Sequence, residues 1–146
     1  MAGAVCCDTS FLFSLYGRDA NSSRAAAEAV RLGRPIMLTV PGEYELLNAI
    51  RAALFRGLFP DAAGMAMIAS LEADLAIGRL VLERGNLAQI FTEAKRLSAL
   101  HTARGGYRAL DVLLVAAAVQ IKAEIFLTFD TNQRTLAEAA GLKVRP

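Results

Sequence analysis

Short apolar runs alternate with helical segments along the whole 146-residue chain, and that alternation leaves few folds open. Ala4–Cys7, Ile36–Val40, Leu80–Leu82, Glu124–Thr128 and Leu142–Val144 read as strands. Asp8-Thr9-Ser10 is a helix-start signal, and Phe11, Leu12, Phe13 and Leu15 continue it. Residues 22–32 carry Ala26, Ala29 and Val30 at helical spacing and are stopped by Gly33. Pro41 suits the first turn of a helix reaching about Arg56, with Leu46, Leu47, Ile50 and Leu54 as its apolar stripe, and Pro60-Asp61 opens another to about Ala76. Asn86 caps a helix ending near Ala103, and Gly105-Gly106 breaks the chain before a helix from about Ala109 to Lys122. A last helix, Thr131–Ala140, stops at Gly141. The expectation is an α/β fold, a parallel sheet covered on both faces. No Pro/Gly/Ser-rich stretch or charge run divides the chain, so residues 1–146 are expected to form a single domain.

Composition removes several classes of function. With 55% hydrophobic and only 21% charged residues the chain is neither disordered nor fibrous. Its longest apolar run, Val112–Val119, is far short of the roughly twenty residues of a membrane span. The first eight residues lack a basic segment, and Asp8 interrupts the apolar stretch, so the expected location is the cytoplasm. Cys6 and Cys7 are adjacent and read as buried small hydrophobes, not as a disulfide or a metal grip. One histidine, His101, excludes a His-rich zinc site. Neither Gly-x-x-x-x-Gly-Lys-Ser/Thr nor Gly-x-Gly-x-x-Gly occurs, and the nucleophile motif Gly-x-Ser-x-Gly is absent. Sixteen Lys+Arg against fourteen Asp+Glu give +2, a surplus too small to argue for nucleic acid by itself.

The carboxylates are more informative. Of six aspartates, Asp8 and Asp130 directly follow strands, where an open α/β sheet places its ligand crevice. Asp111 lies in the first turn of an otherwise apolar helix, and Glu45 lies about one turn into the helix after the second strand, next to the capping-type Glu43. An acid at a helix N-terminus also has an ordinary account, since the macrodipole favours it by about 0.3–1 kcal/mol. If Asp8, Glu45, Asp111 and Asp130 converge, their repulsion calls for a cation, and oxygen-bound magnesium or manganese is the usual one.

Four segments taken in order, Asp8-Thr9-Ser10-Phe11-Leu12, Tyr44 through Ala49, Arg108 through Ala118 and Leu127-Thr128-Phe129-Asp130, resemble the motif series of PIN-domain ribonucleases, with the nearest likeness to VapC-type toxins of toxin–antitoxin pairs. The resemblance spans essentially the whole chain. It implies a three-layer α/β/α PIN-like fold with a central parallel sheet and an endoribonuclease dependent on Mg2+ or Mn2+. It places the catalytic and metal-binding acids on Asp8, Glu45, Asp111 and Asp130, with Ser10 and Thr128 as supporting hydroxyls. It further implies an RNA substrate and a cognate VapB-like antitoxin. The sequence departs from the family at Leu114, where many relatives carry histidine, and at Thr131-Asn132-Gln133-Arg134, where further acids are common.

Arg51, Arg56, Arg104, Arg108 and Arg134 lie in or near the acid-bearing segments and are candidates for holding RNA phosphates, with Arg104, Arg108 and Arg134 the foremost; solvated side chains are the ordinary alternative. Arg104-Gly105-Gly106 reads as a helix stop rather than an RNA-binding box. His101 is open to substrate contact, leaving-group protonation or a helix-end role. Leu54, Phe55, Leu58, Phe59, Met65, Met67 and Ile68 exceed what a small domain readily buries, so part of this stripe is expected at a homodimer face or an antitoxin groove. The competing readings are a non-catalytic PIN-like interaction module and a DNA-directed nuclease.

Overall fold

The computed structural model describes residues 2–146. Five short strands, β1 (Ala4–Cys7), β2 (Ile36–Thr39), β3 (Leu80–Glu83), β4 (Ala123–Leu127) and β5 (Lys143–Arg145), form one sheet in the order β3-β2-β1-β4-β5. Every neighbouring pair is parallel. Seven helices join and cover them: α1 (Thr9–Tyr16), α2 (Ser22–Leu32), α3 (Val40–Phe55), α4 (Asp61–Ile77), α5 (Leu87–Gly105), α6 (Ala109–Gln120) and α7 (Thr131–Ala139).

Alternation along the strands sends side chains to two cores. Val5, Cys7, Ile36, Leu38, Ile125 and Leu127 face one side and pack with Phe11 and Leu12 of α1, Ala25 of α2, Leu46 and Ile50 of α3, and Leu71 of α4. Cys6 and Phe126 face the other and pack with Ile90 and Leu97 of α5, Val112 and Val115 of α6, and Leu136 of α7. The result is the expected three-layer α/β/α arrangement. Both cysteines are buried and free, and burial pushes the Cys6 thiol up to about 12, so they behave as the small core residues the sequence suggests.

The sheet grows outward from β1 through β2 to β3, then resumes on the other side of β1 with β4 and β5, which makes the β1/β4 boundary its switch point. The ladder pairs Cys7 with Leu127 and continues past the strand ends, with Asp8 N–H donating to Leu127 O at 3.0 Å. Asp8 and Thr128 are thereby brought side by side.

The helix starts are set by side-chain caps. Asp8 Oδ1 accepts from Phe11 N, Thr39 Oγ1 from Gly42 N, Asn86 Oδ1 from Gln89 N and Asp130 Oδ1 from Gln133 N. The Thr39 cap accounts for one boundary that differs from expectation: Val40 opens α3 instead of closing β2, because the capping hydroxyl and Pro41 start the helix there. Gly106 (φ 66°) ends α5 in the left-handed conformation that glycine favours, as a helix stop should.

Close approach of α3 and α4 depends on Gly64. An alanine Cβ there would stand 2.7–2.9 Å from the Leu54 side chain. Gly64→Ala is therefore expected to lose stability despite a helix-propensity gain of about 1 kcal/mol, since overpacking costs about 1–3 kcal/mol. A lower urea midpoint at unchanged slope checks this; a higher midpoint contradicts it.

The apolar stripe divides as the sequence suggests. Met67 is buried, and Phe59 and Ile68 pack partly against the core. Phe55 is 93% exposed, Leu58 63% and Met65 69%. Among the described residues no helix is long and apolar enough to cross a membrane.

Candidate active site at the β1/β4 switch point

Asp8, at the end of β1, is buried and held by three donors. Ser10 Oγ donates to its Oδ1 at 2.7 Å, Phe11 N–H to the same oxygen at 3.1 Å, and Thr128 Oγ1 to Oδ2 at 2.6 Å. Burial pushes its carboxyl up to about 6, a rise opposed by the Thr128 and Ser10 hydroxyls and the Phe11 amide and reinforced by the Asp130 charge. The hydroxyls are themselves fixed, because Thr128 Oγ1 accepts from Asp130 N–H at 2.9 Å and Ser10 Oγ from Phe129 N–H at 3.0 Å. Residues 8–10 and 128–130 thus form one hydrogen-bonded unit across the switch point.

Asp130 follows on the β4 side and caps α7. Asp111 enters from the first turn of α6, where Arg108 Nε donates to its Oδ2 at 2.8 Å. Its backbone carbonyl accepts from the Gln133 amide at 3.0 Å, which ties α6 to α7. Glu45 projects from α3. Burial raises its carboxyl above the ordinary range, the Asp111 charge adding to the rise and the Thr9 hydroxyl and Arg108 opposing it. Neither buried Glu45 Oε2 nor buried Thr9 Oγ1 completes a well-aligned hydrogen bond, so the Thr9 hydroxyl acts on Glu45 by proximity alone.

All four acids line one cavity of about 430 Å3. Cavities of about 480, 640 and 700 Å3 open elsewhere among the described residues, and none of these three gathers more than one acid. Ser10 and Arg108 also line the acidic pocket, whereas Thr128 acts from beneath it through Asp8.

The other cations named from the sequence do not line the pocket. Arg134 turns to the C-terminus, donating to Pro146 O at 2.6 Å, and pairs with Glu138. Arg104 is exposed in the last turn of α5, and His101, on the same helix, is also outside the pocket. Arg51 and Arg56 are exposed on and just after α3. Sequence reasoning missed Thr9, Asp19, Asn21 and Phe129 as lining residues. The Asp19–Ser22 stretch carried a usable local signal, an Asx-type turn in which Asp19 Oδ1 accepts from Asn21 N–H at 2.8 Å.

In kind, the donor set suits a divalent cation: hard carboxylate oxygens in one pocket, with a buried Glu45 oxygen lacking any partner. In arrangement, the side chains are committed elsewhere. Asp111 is engaged by Arg108, Asp8 accepts two hydroxyl protons, and Asp130 caps α7. Among the described residues no three His, Cys, Asp or Glu side chains form a group spaced to hold a metal.

A parallel sheet of this order, with carboxylates gathered where its strand order reverses, belongs to a known class. The PIN domain family model matches residues 5–139, and the chain belongs to the PIN domain family. Among solved structures it resembles VapC20 of Mycobacterium tuberculosis, a sarcin–ricin loop cleaving toxin, at 19% identity and TM-score 0.72, over 98% of this chain and 100% of that one. VapBC2 of Rickettsia felis, bound to a DNA fragment from its promoter, is similar at 12% identity and TM-score 0.65, over 97% of each chain. FitAcB of Neisseria gonorrhoeae gives 19% and 0.60, over 97% of this chain and 96% of that one. No curated protein matches the chain by sequence.

Proposed function

We propose that this chain is an endoribonuclease that hydrolyses RNA phosphodiester bonds with the help of Mg2+ or Mn2+, and that it is the toxin of a toxin–antitoxin pair acting in the cytoplasm. The carrying observation is the gathering of Asp8, Glu45, Asp111 and Asp130 from four separate elements into one pocket of a PIN-domain chain. Asp8, Glu45, Asp111 and Asp130 are the proposed ligands. A bound divalent cation supplies Lewis-acid activation of water and neutralises charge on the scissile phosphate.

The chain's own residues supply the rest. Ser10 and Thr128 hold Asp8 in one rotamer, so little side-chain freedom is lost when the site fills. Asp8 must be ionised to serve, and its carboxyl at about 6 is ionised in the cytoplasmic pH range. Glu45 offers its unpartnered Oε2. Arg108 neutralises Asp111 until the site fills and can then turn its exposed guanidinium to an RNA phosphate.

VapC20 is a toxin that cleaves the sarcin–ricin loop, and the fold likeness to it supports RNA as substrate. A VapB-like antitoxin and a second copy of the chain are the proposed partners. The exposed Phe55, Leu58 and Met65, and the cavity of about 700 Å3 between α1 and α4, supply an apolar surface for them. Sedimentation of the chain alone and with the protein encoded beside it checks this; a monodisperse monomer in both removes the partner reading.

The activity test uses a mixed RNA panel and matching DNA with manganese, magnesium or EDTA. Metal-dependent cutting of RNA over DNA is expected. Preferential DNA cutting favours a DNA-directed nuclease, and no cutting by folded, partner-free protein favours an interaction module.

A further inference from the structure

The acidic pocket presents a difficulty for any polyanionic substrate. Asp8, Asp19, Glu45, Asp111 and Asp130 line it, and the one cation lining it among the described residues, Arg108, is already paired with Asp111. A cation between the carboxylates relieves repulsion at the cleavage point, but the flanking phosphates of a strand still need positive charge.

One arginine outside the sequence-derived set stands where such a charge is needed. Arg24, exposed on α2, places its guanidinium carbon 5.4 Å from the centroid of the Phe129 ring, and Phe129 lines the pocket. Beneath that ring the wholly buried Phe11 stacks at 5.6 Å with an interplanar angle of 15°. Phe129 thus contacts both a core ring and an exposed guanidinium, and the cation–π contact favours the guanidinium near that ring. Arg24 makes no hydrogen bond or ion pair with any of the described residues, so its donors remain available. Its helix belongs to the layer packed on Val5 and Cys7, whereas Arg108 precedes a helix of the opposite layer. Arg108 lines the pocket itself, whereas Arg24 stands just outside it, over the lining Phe129 ring.

We propose that Arg24 binds a backbone phosphate of the RNA beside the cleavage point, and that Phe129 is the positioning residue that holds its guanidinium there. This rests on the nuclease reading above and names the contact that gives the strand a second point of attachment.

The test measures anisotropy of a short fluorescein-labelled RNA in EDTA, over a range of KCl, with wild type, Arg24→Ala, Arg24→Lys and Phe129→Leu. Cleavage of the same RNA with manganese is followed separately. Arg24→Ala is expected to bind roughly fivefold more weakly. Its salt dependence should flatten by about 0.7 in the log–log slope, the share of one phosphate on a single strand. Arg24→Lys should recover the slope but only part of the affinity, because an ammonium lacks the planar stack. Phe129→Leu should weaken binding without changing the slope, and in cleavage the Arg24→Ala loss should appear in KM rather than kcat. Wild-type affinity and slope in Arg24→Ala, or a wild-type KM in that variant where RNA binds too weakly in EDTA to read, overturn the proposal even if RNA is cleaved. RNA binding that depends on Arg24 in a protein that never cuts overturns the nuclease reading instead, and a wild type that neither binds nor cuts RNA overturns both.

Discussion

Asp8→Asn is expected to lose metal-dependent RNA cleavage by at least about 100-fold while making the metal-free protein more stable at neutral pH. Both effects have one cause. The Asp8 carboxyl sits at about 6 in the fold against an ordinary value of 3.8, because burial disfavours its charge more than three hydrogen bonds favour it. The folded chain therefore holds that proton more tightly than the unfolded chain does. Stability from this group is fully present below about pH 3.8, declines as pH rises, and is lost above about pH 6, a difference of about 3 kcal/mol. Asparagine keeps the shape and carries no charge to desolvate. Its amide can donate to the Thr128 hydroxyl, which then turns its proton elsewhere. Urea unfolding in EDTA should show the variant more stable than wild type at pH 8, with the gap closing toward pH 4. A variant less stable at both values would show that the hydrogen bonds outweigh the desolvation.

Manganese is expected to raise the wild-type melting temperature by roughly 5–10 °C at a hundredfold excess over its dissociation constant, where binding contributes about 2.7 kcal/mol. Glu45 and Asp8 are both held above their ordinary carboxyl range by burial, and a bound cation offsets what that burial costs. Filling the site also gives the Glu45 Oε2 atom the partner it lacks. EDTA should reverse the shift, and Glu45→Gln should reduce it. A melting temperature indifferent to manganese in wild type would mean that the acids do not form a cation site. That outcome would agree with the committed state of Asp111 and Asp130 more than with the pocket they share.

Most of the fold is legible because its determinants are local. Asp8, Asn86 and Asp130 stand at a strand end or helix start that the sequence marks, and each caps the helix that follows, whereas the cap at Thr39 is hidden inside a run that reads as a strand. Two of those caps close strands at the switch point, so reading caps also locates two of the candidate acids. Arg104 and Arg134 lie away from the pocket for a complementary reason. Proximity along the chain does not determine which way a long side chain turns, and Arg134 is drawn to the C-terminal carbonyl while Arg104 points to solvent. Arg108 differs because its partner is three residues away on one helix face, a relation that spacing alone can express. The contact between Arg24 and Phe129 is not legible in the sequence, because the two residues are far apart along the chain and meet only in the fold. Thr9 is a similar case, since its neighbour Glu45 lies on α3, a helix that follows β2 far along the chain.

The central claim is that four acids from four elements work as one centre. It is tested most directly by single-turnover cleavage of one RNA with manganese, comparing wild type with Asp8→Asn, Glu45→Gln, Asp111→Asn and Asp130→Asn. Circular dichroism should confirm that each variant is folded. The account predicts cleavage by wild type, none in EDTA, and a large loss in every variant. Wild-type cleavage by any folded member of the set would contradict it.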